Sequence, residues 1–196
     1  MRIAVLSDVH GNLRALEAVV GDLRRQAPDP VVHAGDLALN GPRPAEVVDR
    51  IRELGWPGAR GNADELLWAG LGPVPPAERE FADALRQATL GLLGPDRMRW
   101  LRRLPRLWRH EELAVLHASP TTLEEAPPVD GDWRPSYLLI DDGEVSVRRV
   151  AYDLEAQIAE LRASTYPSRS WLIRVHRRAE SVRPLELDPP AARGPG

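Results

Sequence analysis

Ile3-Ala4-Val5-Leu6-Ser7-Asp8-Val9-His10-Gly11-Asn12 is the stretch whose reading decides the fold. The apolar run Ile3–Leu6 reads as a buried strand, and a cluster of metal-binding side chains begins where it ends. The arrangement recurs three times. Gly35-Asp36 follows Val31–Ala34, Gly61-Asn62-Ala63-Asp64 follows Pro57–Arg60, and His117-Ala118-Ser119-Pro120 follows Leu113–Leu116. The C-terminal ends of strands in an α/β sheet share one rim, where ligands usually bind. Asp8, His10, Asp36, Asn62 and His117 are therefore expected to meet in space. Two carboxylates, two imidazoles and an amide oxygen, without a thiolate, suit divalent Mn, Fe or Zn. Asp8 and His10 are two apart, and on an extended strand end both would point the same way and hold one ion.

Working outward, residues 12–26 place Leu13, Leu16, Val19, Val20 and Leu23 at helical spacing, with Asn12 as N-cap. Pro44–Leu54 is a second amphipathic helix, opened by Pro and closed by Gly55. Strand, helix, strand, helix, strand is a parallel βαβ start. A short helix is expected over Asp64–Ala69, then helices over Ala77–Leu93 and Asp96–Arg103, broken at Gly94-Pro95. Strands return at Leu107–Glu111 and Leu113–Leu116. Ser136–Ile140 and Glu144–Val150, joined through Asp141-Asp142-Gly143, form a hairpin. Leu154–Ala163 is helical. One domain over residues 1–180 and a disordered tail over 181–196, rich in Pro, Arg and Gly, complete the expectation.

The chain has 196 residues, 43% hydrophobic and 28% charged, which is ordinary for a soluble domain with a real core. A net charge of −3 gives no general reason to bind nucleic acid or an anionic membrane. All 26 basic residues are Arg, read together with 19 Pro as coding bias. There is no Cys, which excludes disulfides and thiolate metal sites. No stretch approaches the roughly 18 apolar residues of a spanning helix, and no signal segment is visible, so a cytoplasmic location is the expectation.

The four motifs, in order, resemble those of the calcineurin-like metallophosphoesterases, most of all the small bacterial phosphodiesterase branch. The Gly35–Pro42 loop, Leu104-Pro105 and the Tyr137–Asp153 stretch are similar as well, so the resemblance covers roughly Met1 to Asp153. It implies an α/β/β/α fold in which two sheets pack face to face with helices outside. It also implies two divalent ions (Mn, Fe, Zn or Ni), the first on Asp8, His10 and Asp36 and the second on Asp36, Asn62 and His117. Asp36, Asn62 and Asp64 are the implied catalytic residues. A metal-bridging hydroxide would attack a small phosphoester substrate, a diester in preference to a monoester.

Two departures bear on this. The family's G-H-x-H motif, which adds a histidine to each ion, is missing, and the chain runs from His117 to Asp130–Tyr137 without the segment that would hold it. The second sheet should therefore be shortened, and an uncovered edge should favour a homo-oligomer, most simply a twofold dimer. Ala63 stands where many members have a histidine that assists the leaving group. Weak activity on activated diesters is one expectation, and a catalytically weak or inactive scaffold on the same fold is the alternative. Of the other histidines, His33 reads as a satisfied core residue, His110 as a surface strand residue and His176 as an exposed residue of an Arg-rich helical segment. Trp100, Leu101, Leu104 and Trp108 read as core or interface.

Overall fold

The computed structural model describes residues 1–111, 113–117 and 131–179, so the expected tail and the Pro127–Val129 junction lie outside the described residues. The elements are β1 (Arg2–Leu6), α1 (Leu13–Gln26), β2 (Val31–His33), α2 (Pro44–Leu54), α3 (Asn62–Ala69) and α4 (Pro76–Arg103), then β3 (Leu107–His110), β4 (Leu113–Leu116), β5 (Ser136–Asp141), β6 (Glu144–Arg149), α5 (Leu154–Ala163) and α6 (Arg169–Arg178). The main sheet has the order β2-β1-β5-β6, and β3 and β4 form a second sheet of two strands. This is the expected two-sheet α/β fold with a shortened second sheet.

β1 and β2 run parallel, with Ala4 opposite Val31 and Leu6 opposite His33, as a helical crossover requires. β5 lies antiparallel on the other side of β1, Ala4 opposite Leu139, and β6 pairs with β5. The turn between them has Asp142 at φ 48° and Gly143 at φ 89°, the two positive φ values of a type I′ hairpin. α1 starts where Asn12 Oδ1 accepts from the Ala15 amide at 3.1 Å. Its apolar face buries Leu16, Val19, Val20 and Leu23. α4 is two helical stretches that meet at a kink at Gly94 (φ 71°, ψ 168°), where the sequence places the break.

The core lies mainly on one face of the sheet, where Ala4, Leu6, Tyr137 and Leu139 meet residues of all six helices. A smaller cluster of Val32, Ala34 and Val115 on the opposite face joins β2 to β4 of the hairpin, with Val5 and Trp108 packed against it. The third parallel strand expected at Pro57–Arg60 is reduced to one bridge between His33 and Gly58. The His33 amide donates to Pro57 O and the Ala59 amide to His33 O, but the Arg60 amide turns away to Pro105 O at 2.9 Å. That segment thus changes partner after one repeat and cannot extend the ladder.

A buried carboxylate ties α1 to the far half of the sheet. Tyr137 Oη donates to Asp22 Oδ2 at 2.7 Å, Arg148 Nε to the same oxygen at 3.0 Å and Arg25 Nη2 to Asp22 Oδ1 at 2.9 Å. The Arg148 bond is the main cause that lowers the Asp22 pKa from 3.8 to about 2; burial opposes it, and Tyr137 and Arg25 assist. The folded state therefore binds this proton less readily than the unfolded chain, and the cluster stabilises the fold above about pH 4. That contribution is lost as the pH falls toward 2. Arg148 is partly exposed, so after screening the contribution is roughly 1 kcal/mol. Asp22→Asn should lower the melting temperature by a few degrees at pH 6, and thermal melts should show the difference shrinking toward pH 2.

Candidate metal centre

The loops after β1 and β2 carry the site, and they are zipped to each other beyond the ends of the strands. The Ala34 amide donates to Leu6 O, Asp8 to Gly35 O, His10 to Asp36 O and Gly11 to Leu37 O, all between 2.8 and 3.1 Å. Asp8 (φ 59°), His10 (φ 48°) and Asp36 (φ 54°) are all left-handed. The extended strand end expected for Asp8 and His10 is therefore replaced by a left-handed turn. Each such non-glycine residue costs on the order of 1 kcal/mol, which the interloop bonds offset. The turn still brings the side chains together, with His10 Nε2 3.4 Å from Asp8 Oδ1 and 3.9 Å from Asp36 Oδ2.

Asp8, His10 and Asp36 each offer a ligand atom within 4.8 Å of the others. Asn62, the first residue of α3, and His117, just past β4, meet at the other side of Asp36. His117 Nε2 is 2.8 Å from Asn62 Oδ1 and 3.4 Å from Asp36 Oδ2. The structure thus gathers all five side chains singled out in the sequence. Both imidazoles are oriented by the backbone: His10 Nδ1 meets Leu39 O at 2.8 Å, and His117 Nδ1 meets Ala34 O at 2.7 Å. A carbonyl at Nδ1 assigns the proton there and turns the Nε2 lone pair inward, which is how ligand histidines are commonly held. Lone pairs of two imidazoles, two carboxylates and an amide oxygen facing one another call for a cation between them. The donor set therefore fits divalent metal.

The electrostatics agree. Burial lowers the His10 pKa, but the Asp8 hydrogen bond, the charges of Asp36 and Asp8 and the Leu39 carbonyl outweigh it and raise it to about 9. Burial raises the Asp36 pKa, against the pull of His10 and His117. The site thus holds negative charge that takes up positive charge where it can.

Asp64, implied as catalytic, is wholly buried and committed to the backbone. Its Oδ1 accepts from the Leu37 and Ala38 amides at 3.0 and 3.3 Å, and its Oδ2 from the Gly61 amide at 3.2 Å. Burial and the nearby Asp36 charge raise its pKa to about 6, against those three amides. Its observed place is that of a brace between the Asp36 loop and the start of α3. Asp36 Oδ1 in turn accepts from the Ala63 amide at 2.8 Å. Close approach requires glycine here, because a Cβ on Gly61 would fall on Asp36 Oδ1.

His33 is buried as expected, but neither ring nitrogen has a hydrogen-bond partner, and burial pushes its pKa down to about 4. His110 is exposed and stacks on Trp108 at 5.8 Å. Leu101 is wholly buried, and Trp100 and Leu104 pack against the core. His176 differs from its reading as an exposed residue. Burial and the charge of His10 lower its pKa against the Leu172 carbonyl. With Ser7, Asp8, Asn12, Trp133, Arg149 and Tyr152 it lines a cavity of about 210 Å³. Sequence reasoning missed it because its Arg-rich helix reads as a solvated face; the signal was its place one turn after the buried Leu172.

Asp64→Asn keeps one acceptor but turns an NH₂ toward an amide donor. It should destabilise the fold by about 1–3 kcal/mol and also weaken Mn²⁺ binding by calorimetry, although the Asp64 carboxylate itself is bonded to backbone amides.

Comparison with known proteins places this geometry. Residues 1–133 match the family model described as calcineurin-like phosphoesterase. An uncharacterized protein of Methanocaldococcus jannaschii is 40% identical over 62 residues, 32% of this chain, so the chain matches about a quarter (26%) of that relative's length. The crystal structure of a metallophosphoesterase from Sphaerobacter thermophilus aligns over 91% of this chain and 99% of its own, with a TM-score of 0.72 at 23% identity. That of a hypothetical protein from Pyrococcus horikoshii aligns over 92% and 99%, with a TM-score of 0.75 at 16% identity. With more than half of its length matched and its five polar side chains on the rim of this two-sheet fold, the chain belongs to the calcineurin-like phosphoesterase family.

Proposed function

We propose that this chain is a divalent-metal-dependent hydrolase of small phosphoesters, diesters before monoesters. The observation that carries the reading is Asp36, a buried carboxylate with Oδ2 facing His10 on one side and His117 on the other. Asp8, His10 and Asp36 would hold one ion and Asp36, Asn62 and His117 a second, of Mn, Fe, Zn or Ni. When bound, such ions polarise phosphoryl oxygens and acidify water. The backbone does the rest of the positioning: the Leu39 and Ala34 carbonyls fix the two rings, and the Ala63 and Asp64 amides fix Asp36. Ala63 brings no side-chain acid to the leaving group, an assistance typically worth about 10²–10⁴-fold. Substrates with good leaving groups are therefore favoured.

Asp36→Asn removes charge from the shared ligand and should cost more Mn²⁺ affinity than any other single ligand change, read by calorimetry. With bis-p-nitrophenyl phosphate and Mn²⁺, the Asp8→Ala, Asp36→Ala double variant should lose nearly all hydrolysis. Equal rates would leave the inactive-scaffold reading in first place.

The same chain would act as a twofold dimer. β6 is an edge strand, and Leu138, Val145 and Val147 are exposed on the sheet, Leu138 opposite Val147 in the register. Exposed edges and apolar patches are where a second copy pairs. Light scattering at tens of micromolar should give twice the 21.8 kDa chain mass, and Val145→Glu with Val147→Glu should give one. A monomer in both cases rejects the dimer. No described helix is long and apolar enough to cross a membrane.

A further inference from the structure

We propose that His176, in the last turn of α6, is a ligand of the ion held at Asp8, His10 and Asp36. This rests on the metal-centre reading above. Its Nδ1 meets Leu172 O, one helical turn back, at 2.8 Å. That assigns the proton to Nδ1 and the lone pair to Nε2, the same presentation that Leu39 O gives His10 and Ala34 O gives His117. The rings held in this way are the ones that converge on the two loops.

Asp8 links the two groups: it stands in the ligand cluster and also lines the cavity that His176 enters. The polar contact of Nε2 is with Asn12 Nδ2 at 3.3 Å. Asn12 is oriented independently, because its Oδ1 caps α1 at Ala15. The imidazole thus lies outside the 4.8 Å group but in the cavity that Asp8 also lines, on a long hydrogen bond worth about 1 kcal/mol. Exchanging that bond for a metal–nitrogen bond is favourable, and a neutral imidazole is the form that binds metal. The helix that carries it is docked: Leu172 is 2% exposed, and Trp171 packs edge-on against Phe81 with centroids 5.2 Å apart.

The test uses the full chain and Zn²⁺ alone. Calorimetry should show affinity at least about tenfold weaker for His176→Ala. His176→Gln should be equally weak, since its carbonyl can still accept from Asn12 but is a poor ligand. In the wild-type chain, NMR should show the His176 ring resonances moving with those of His10 on Zn²⁺ addition, a readout that requires no variant to fold. A stationary His176 beside a shifted His10, an unchanged affinity in His176→Ala, or a full rescue by His176→Gln would overturn the proposal and leave the centre itself standing. No Zn²⁺ binding by the wild-type chain would remove both.

Discussion

The hydrogen bonds that join the loop after β1 to the loop after β2 are what the rest of the site depends on. A parallel ladder ordinarily stops with its strands. Here the Asp8, His10 and Gly11 amides carry it three further steps, onto Gly35, Asp36 and Leu37. Those bonds hold Asp8, His10 and Asp36 in the left-handed region, which L residues otherwise avoid. Without the ladder the three side chains would scatter over the rim. With it, the candidate ligand atoms are set in place by the fold alone, which would leave little ordering entropy to oppose an ion.

Around this zipper the protein spends its buried polar groups on orientation. Asp64 receives three amides and Asp36 two, so two carboxylates share one small volume. Burial raises the pKa of both, the Asp36 charge adds to it at Asp64 and the Asp8 charge at Asp36, and part of the burden falls on the amides and the two imidazoles. A cation at the rim relieves the same repulsion. The network is thus a scaffold whose charge would also favour a bound cation.

Much of this was legible in the sequence because strands and their polar ends are local patterns. Ile3–Leu6 followed by Asp8, or Val31–Ala34 followed by Asp36, needs only an alternation of chemistry along the chain. The hairpin through Asp142 and Gly143 was equally local, since its turn demands two positive φ values. What was not legible depends on partners far away in sequence. The turn at Asp8 and His10 is set by the opposite loop. The segment at Pro57–Arg60 loses its ladder to Pro105, and Asp64 looks inward because the amides of Leu37 and Ala38 await it. His176 meets Asn12 across 164 residues, a contact no window of sequence contains.

The strand order has a consequence for how the chain is made. β1 is central: β2 covers one edge within the first few dozen residues, but the other edge waits for β5, where Ala4 pairs with Leu139. On the ribosome, the amides and carbonyls along that edge of β1 have no strand to pair with until Ser136–Asp141 has emerged. An N-terminal half that has already assembled its loops would thus be a nascent chain with an open seam, a natural point for a chaperone to hold. Closing the seam late makes the sheet rich in non-local contacts, and such topologies fold slowly.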